Sequence, residues 1–323
     1  MLIDGYDTLL LDLDGVVYLG AHAVPHAVES LEEARGRSTR LAYVTNNASR
    51  TPAAIAEHLR ELGLSARAED VVTSAQAAAR LVAERVPSGS PVLVVGGSGL
   101  RLAVRDQGLR PVTTAADAPV AVVQGMALGL AYGLLAEGAL AVRQGALFVA
   151  ANRDSTLPTR RGELPGNGAM ARVIATATGV EPVFAGKPDP PLHRESMIRT
   201  EAKRPLVVGD RLDTDIEGAV NAGVDGLLVL TGVATPLDVL TASPQQRPTY
   251  VAEDLSALLR PYPEVRQGVC AGWRAQWVDG VLTLEGDGSR TDGLRAACDA
   301  AWTYAGESRA EEDAVKPVLD RIG

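Results

Sequence analysis

The chain has 323 residues, enough for two or three domains, and 46% of them are hydrophobic, so a sizeable core can form and nothing calls for extended disorder. A formal charge of −9 lacks the basic footprint of a nucleic-acid binder, although a local cationic pocket can still take a small anion. Cys270 and Cys298 lie far apart, which argues against a disulfide framework or a thiolate metal site and for reduced thiols in the cytoplasm; the acidic start MLIDGYDT is no signal peptide, and no apolar run reaches the ~18 residues of a membrane span.

In chain order, the first predicted strand is TLLLDL (8–13), where Asp12 and Asp14 are followed at once by Gly15. The second is LAYVTN (41–46), with Thr45, Asn46 and Asn47 at its end, and helical patterns follow over 52–63 and 74–86. Further strands are expected at 91–96, 120–125, 146–151, 205–210 and 226–231. Most are apolar at successive positions, as strands covered on both faces are, and they alternate with Ala-rich helices. This is the pattern of an α/β protein with βαβ crossovers, whose ligands sit beyond the C-terminal strand ends. Lys187 lies in the loop AGKPDP, upstream of the strand that ends in Asp210, and Asp213 and Asp215 follow in DRLDTD. About 140 residues separate Asn47 from Lys187, far more than a tight connection needs, so the middle of the chain is read as an inserted α/β domain. The expected division is 1–75 and 184–260 for the core, 76–183 for the insertion, and 261–323 for a small α+β unit. That last unit has a hairpin turning at Asp279-Gly280 and one helix over 292–305. Such a unit is marginal alone and is expected to dock on the core.

The two aspartates at the first strand end need compensation, because carboxylates near a core are costly unless paired or metal-bound. Residues two apart on a strand face one side, so Asp12 and Asp14 are expected to address one site, joined there by Asp210 and Asp215. The matching partner is a hard divalent cation with oxygen ligands, which points to Mg²⁺ and requires Asp12 and Asp210 to lie within ~10 Å of each other. Phosphoryl transfer explains why there are two aspartates: Asp12 as nucleophile, and Asp14 to protonate the leaving oxygen and then to activate water. Asp14 must then hold a proton near pH 7, which like-charge neighbours and partial desolvation favour. Thr45 and Asn46 can donate to phosphoryl oxygens, and Lys187 adds a positive charge opposite the metal. Each part also has an ordinary reading. A DxD can cap a helix, Asp213 and Asp215 suit a helix start, TNNAS suits an N-cap, and Lys187 can be a solvated loop lysine. The four together, in this order and at strand ends, favour chemistry.

The segments DLDGV, TNN, GKP and GDRLDTD resemble motifs one to four of the haloacid dehalogenase-like phosphatases, over residues 5 to about 255. The resemblance implies a Rossmann-like parallel-sheet core with a large α/β cap inserted after the second motif. It places the chain in the branch of small-ester phosphatases that act on phosphoglycolate, glycerol 3-phosphate and related compounds. It also implies Mg²⁺ held by the Asp12 carboxylate, the Asp14 carbonyl and Asp210 with Asp215 in support, and a phosphoryl group handled by Thr45, Asn46, Asn47 and Lys187. The stretch 150–170 resembles the cap segment facing the core, so Arg153, Asp154 and Leu157 are candidates for touching substrate. Leu157 stands where pyridoxal-phosphate phosphatases carry a histidine, which leans the expectation to a C2 or C3 ester, glycerol 3-phosphate or 2-phosphoglycolate. Arg160 and Arg161, like Arg153, can attract an anion or simply face solvent. Caps of this branch often pair two copies, so a homodimer through the cap is expected. The tail resembles the acetyltransferase-like domain of actinobacterial glycerol-3-phosphate phosphatases, but RQGVCAG is a poor coenzyme A loop and a structural role is expected. Two other readings stay open: a phosphomutase or phosphotransferase, and a receiver-like module that stores phosphate on Asp12. VVGGSGLRLAV (94–104) lacks the full glycine pattern of a dinucleotide site and is read as a turn.

Overall fold

The computed structural model describes residues 1–159 and 161–322. The chain forms two compact units, one of Met1–Leu41 with the chain from Ala202 onward, the other of Ala42–Glu201. Both are α/β with parallel sheets, the Rossmann-like arrangement.

In the first unit the strand Thr8–Leu11 is buried at all four positions, which is why its apolar residues do not alternate. It pairs in parallel with Pro205–Gly209, with Leu9 opposite Leu206 and Leu11 opposite Val208. Asp225–Val229 and Tyr250–Ala252 continue the sheet, also in parallel. The first strand stops two residues short of the expected end. The Asp12 N–H still donates to the Val208 carbonyl at 2.9 Å, and then the chain turns around the buried Leu13, whose carbonyl accepts from Val17 at 2.9 Å and Tyr18 at 3.1 Å. Gly15 closes the turn at φ +85°, a conformation disfavoured for any residue with a β-carbon. Asp12 and Asp14 therefore lie in a turn past the strand, not on one strand face.

The C-terminal part of this unit is a hairpin of Trp273–Val278 and Val281–Glu285. Asp279 and Gly280 both have positive φ, as the Asp-Gly signal requires. A short strand, Val269–Cys270, adds a third, and the helix Arg290–Ala305 follows. These elements do not keep a separate core. Trp273, Leu282, Leu294 and Ala297 share one buried apolar cluster with Ile216, Leu228, Val239 and Val251. The Trp302 indole donates to the Val239 carbonyl at 3.0 Å. Arg295 donates to the Val251 carbonyl at 2.8 Å and lies 4.4 Å over the Tyr262 ring.

In the second unit the strand ending at Thr45 pairs in parallel with Val71–Thr73. The helices Pro52–Glu61 and Ser74–Ala83 start at threonine caps, Thr51 and Thr73, the latter in a capping box with Gln76. A five-stranded parallel sheet runs in the order Val183–Phe184, Leu147–Ala150, Ala121–Gln124, Pro91–Val95, Arg110–Val112. The helices Tyr132–Arg143 and Asn167–Thr178 cover it through Leu135, Ala141 and Ile174, packed with Val122 and Phe148. Sequence periodicity missed the hairpin of Thr156–Thr159 and Gly162–Pro165. Its second strand is exposed throughout, so no buried face imposes alternation. Among the described residues no helix is long and apolar enough to cross a membrane.

Because the tail and the parallel sheet share one cluster, Leu282→Ala is expected to cost about 2–5 kcal/mol, the usual range for emptying a buried leucine site. Urea unfolding followed by tryptophan fluorescence reads that loss directly, since all three tryptophans lie beyond residue 270. Hydrogen exchange in Pro205–Gly209 and Asp225–Val229 should rise in parallel; unchanged protection there would mean separable cores.

Candidate active site

Adjacent parallel strands in this register deliver their next residues side by side. Thr8–Leu11 is followed by Asp12 and Pro205–Gly209 by Asp210. Asp215 comes from the wide helical turn Leu212–Ile216 that leads into the helix Glu217–Ala222. One carboxylate oxygen from each of Asp12, Asp210 and Asp215 lies within 4.8 Å of the others. Asp12 is half-buried, while Asp210 and Asp215 are each 1% exposed. At that spacing each pair of charges would repel by about 3.5 kcal/mol or more even at an effective dielectric near 20, so the cluster needs a cation or bound protons.

The donor set fits magnesium: it is all oxygen, and octahedral ligands at ~2.1 Å lie ~3.0 Å apart when adjacent and ~4.2 Å apart when opposite. The surrounding backbone leaves these carboxylates room. A β-carbon on Gly15 or Gly232 would run into the Asp210 carboxylate, and one on Gly209 would strike Asp215. The Asp210 Oδ2 accepts the Val233 N–H at 2.8 Å, and the Asp215 Oδ2 accepts the Arg211 N–H at 3.1 Å, which fixes both side chains. Asp14 is exposed, held by Gly15 and Tyr18 in the turn, where the Gly15 N–H donates to the Tyr18 carbonyl at 2.9 Å. Asp213 faces away in an exposed ion pair with Arg211 at 2.8 Å.

The second unit gathers the expected phosphoryl-handling residues. Thr45 is 7% exposed and its Oγ1 accepts the Asn47 N–H at 3.1 Å. Asn46 clamps the backbone of Lys187, its Oδ1 accepting that N–H at 2.8 Å and its Nδ2 donating to that carbonyl at 3.1 Å. Gly186 permits this approach, since a β-carbon there would collide with the Asn46 amide. Lys187 is 3% exposed, and its Nζ donates to the Val44 carbonyl at 3.3 Å. It is no solvated loop lysine. Asn47 shapes the loop instead, its Oδ1 accepting from the backbone of Ser49 and Arg50.

Of the cap candidates, Asp154 reaches Asn46, with its carboxylate oxygens 3.3 and 3.4 Å from Nδ2. Arg153 is committed to a bidentate pair with Asp189 at 2.6 and 2.9 Å and stacks on Phe184. Leu157 is half-buried on the hairpin and Arg161 is exposed, while Arg160 lies outside the described residues. Sequence reasoning passed over Asn152, Gly209, Gly232 and His193. Asn152 stands just past an apolar strand, a position the strand-end rule covers. The glycines carry no chemistry of their own, so only packing exposes their role.

His193, on the helix Pro190–Thr200, is fully buried, and neither ring nitrogen has a hydrogen-bond partner among the described residues. Burial, and then the positive charge of Lys187, push its pKa down to about 3.

Comparison with known proteins identifies the family. A family model for haloacid dehalogenase-like hydrolases matches residues 9–110, and a second HAD-hydrolase-like model matches 184–258. A model for a GCN5-related N-acetyltransferase-like domain matches 270–323. The D-glycerol 3-phosphate phosphatase of Mycobacterium tuberculosis is 46% identical over 327 residues, spanning 98% of this chain and 91% of that protein. An acid sugar phosphatase of Staphylococcus epidermidis is 38% identical over 79% of this chain and 97% of its own. The crystal structure of glycerol phosphate phosphatase from Mycobacterium tuberculosis in complex with magnesium superposes with a TM-score of 0.89 at 44% identity, covering 100% of this chain and 98% of that one. The chain belongs to the haloacid dehalogenase-like hydrolases. Within that family it is a phosphoric monoester hydrolase.

Two outcomes test this geometry. Gly232→Ala should push Asp210 out of place and weaken Mg²⁺ binding by about 10–100-fold, the range for disturbing groups that orient metal ligands, as read by titration calorimetry. His193 is neutral in the folded state down to about pH 3 but takes a proton in the unfolded chain below about pH 6.5. The unfolded state then binds more protons as pH falls from 6.5 toward 3, and stability declines by up to about 1.4 kcal/mol per pH unit over that window. Urea midpoints between pH 4 and 8 should show His193→Leu with a shallower acid decline than the parent.

Proposed function

We propose that this protein is a Mg²⁺-dependent phosphatase that hydrolyses small phosphate monoesters, glycerol 3-phosphate foremost, through an aspartyl-phosphate on Asp12. The observation that carries the reading is the meeting of Asp12, Asp210 and Asp215 oxygens within 4.8 Å at the ends of two adjacent strands. Asp12, Asp210 and the Asp14 carbonyl would hold the metal, with Asp215 in support. When bound, the ion neutralises the cluster and draws the charge of the phosphoryl oxygens.

In this reading the Asp12 carboxylate attacks phosphorus and the ester oxygen leaves as Asp14 gives it a proton. Asp14, now a carboxylate, takes a proton from water, which attacks the acyl-phosphate, releases phosphate and restores Asp12. Its exposed position past the turn suits a group that must meet both an alcohol and water. Lys187 and the Thr45–Asn47 loop would balance the phosphoryl charge, and the buried setting of Lys187 strengthens that effect.

The substrate assignment rests on the 46% identity with a D-glycerol 3-phosphate phosphatase across nearly the whole chain, and on an apolar Leu157 in the segment proposed to face substrate. Residues 76–183 act as the selecting cap in this reading. Exposed Leu128, Tyr132 and Leu140 on that region support pairing of two copies through it, which analytical ultracentrifugation checks. The free thiols of Cys270 and Cys298 suit a cytoplasmic enzyme.

Asp12→Asn should abolish turnover with the fold intact, and Asp14→Asn should cut kcat by about 10²–10⁴-fold. Phosphate release with Mg²⁺ across a panel of phosphorylated metabolites should rank glycerol 3-phosphate first by kcat/KM. A higher rank for 2-phosphoglycolate or a nucleotide would move the substrate. Isomerised product with little release would favour a mutase, and a modified Asp12 lasting minutes would favour a storage module.

A further inference from the structure

A buried chain of amide side chains runs from the five-stranded sheet to the loop that carries Asn46. Gln124, the last residue of its strand, donates through Nε2 to Oδ1 of Asn167 at 2.9 Å. Asn167 opens a helix and donates through Nδ2 to the Asn152 carbonyl at 2.9 Å. Asn152 donates through Nδ2 to the Asn46 carbonyl at 2.6 Å, and Ser74 Oγ donates to that same carbonyl, also at 2.6 Å. None of Gln124, Asn167, Asn152 and Ser74 is more than 4% exposed.

Asn152 also works through its other amide atom. Its Oδ1 accepts the Asp154 N–H at 3.1 Å, which turns the chain so that the Asp154 carboxylate meets the Asn46 amide. One short turn therefore grips Asn46 twice, at its main-chain carbonyl through Asn152 and at its side chain through Asp154. The Asn46 Nδ2 has two N–H donors and points to both Asp154 and the Lys187 carbonyl, while its Oδ1 accepts the Lys187 N–H. A carboxylate only accepts, so Asp154 dictates which face of the amide it meets and hence which face Lys187 meets. Close backbone approach makes the turn possible: β-carbons on Gly166 or Gly168 would collide with the carbonyls of Asp154 and Arg153. Buried amides cost stability when a partner is missing, so a linked row of them favours one geometry; in this row Asn167 and Asn152 use both amide atoms, while Gln124 Oε1 has no hydrogen-bond partner among the described residues.

We propose that Asn152 and Asp154 are positioning residues that latch the 150–154 turn onto Asn46, so that Asn46 and Lys187 stand in register only while this turn is seated. The turn leaves the strand Leu147–Ala150, second from one edge of the inserted sheet, and is tied through Asn167 to the end of its central strand at Gln124, so seating of that sheet and readiness of the phosphoryl-binding loop become one event. Asp154 then acts through Asn46 and is not itself a contact to substrate. The proposal rests on the reading above that Asn46 and Lys187 handle the phosphoryl group.

The test measures orthovanadate affinity by calorimetry in Mg²⁺, a readout independent of turnover, beside steady-state kinetics. In Asp154→Ala and in the isosteric Asn152→Asp, which loses the donor to the Asn46 carbonyl, vanadate affinity and kcat/KM should fall together. The expected loss is about 10–100-fold, the scale of a small misplacement of a binding group. Mg²⁺ affinity without vanadate should stay within about twofold, which a general loss of structure would not allow. In an Asn46→Ala background the same changes should add less than about twofold, because their target is gone. Folded Asp154→Ala with parental vanadate affinity, or effects that multiply with Asn46→Ala, would overturn the latch. Should the buried Asn152→Asp fail to fold, the half-buried Asp154→Ala decides alone. A parent that binds vanadate yet hydrolyses no small ester defeats the substrate reading and leaves the latch to be judged by vanadate; a parent that binds none overturns both.

Discussion

Like charge crowded into a small buried volume is the constraint on which this structure turns. Asp12, Asp210 and Asp215 bring three carboxylate oxygens within 4.8 Å, two of them from side chains almost wholly out of solvent. Water cannot screen them there, so their environment must. Backbone N–H groups of Val233 and Arg211 hold Asp210 and Asp215 in orientation, and glycines at 15, 209 and 232 leave the space that a β-carbon would fill. The remaining charge defines a seat for a hard divalent cation. Parallel pairing supplies the geometry at no extra cost, since neighbouring strands in register end side by side.

The two units differ in the chemistry they carry. The first unit carries the carboxylates, and the second carries the amides, the hydroxyl of Thr45 and the ammonium of Lys187. Keeping an ammonium 3% exposed is costly, and the second unit meets that cost with the Val44 carbonyl and a backbone clamp from Asn46. His193 shows the other side of the same electrostatics: a ring buried near that charge stays neutral. Deeper in the unit, the salt-bridged Glu195, fully buried between Arg80 and Arg199, ties the helices Ser74–Ala83 and Pro190–Thr200. That pairing steadies the helix following Lys187.

The C-terminal segment shows why a boundary in sequence need not be a boundary in packing. Its hairpin and helix match an acetyltransferase-like domain, yet their apolar residues share a cluster with Ile216, Leu228 and Val251. About sixty residues rarely bury enough surface to stand alone, and this segment draws on its neighbour's core instead.

Much of the candidate site's layout was legible because its parts follow rules that act locally. Continuous apolar runs ending in Asp12, Thr45 and Asp210 marked strand ends, and the Asp279-Gly280 turn took the conformation that its residues prefer. Less was legible where a residue's role depends on what approaches it. Asp12 and Asp14 looked like strand neighbours until the turn at Gly15 separated an inner carboxylate from an exposed one. Arg153 and Asp154 looked alike as cap candidates, and only packing committed one to Asp189 and the other to Asn46. By itself the sequence determined the alternation of strands and helices and the identity of the charged groups, because short-range patterning and side-chain chemistry are properties of the chain. The tertiary structure alone decided which carboxylates share a seat, which amides grip Lys187 and where the tail finds its core, because those outcomes depend on distances between residues far apart in sequence.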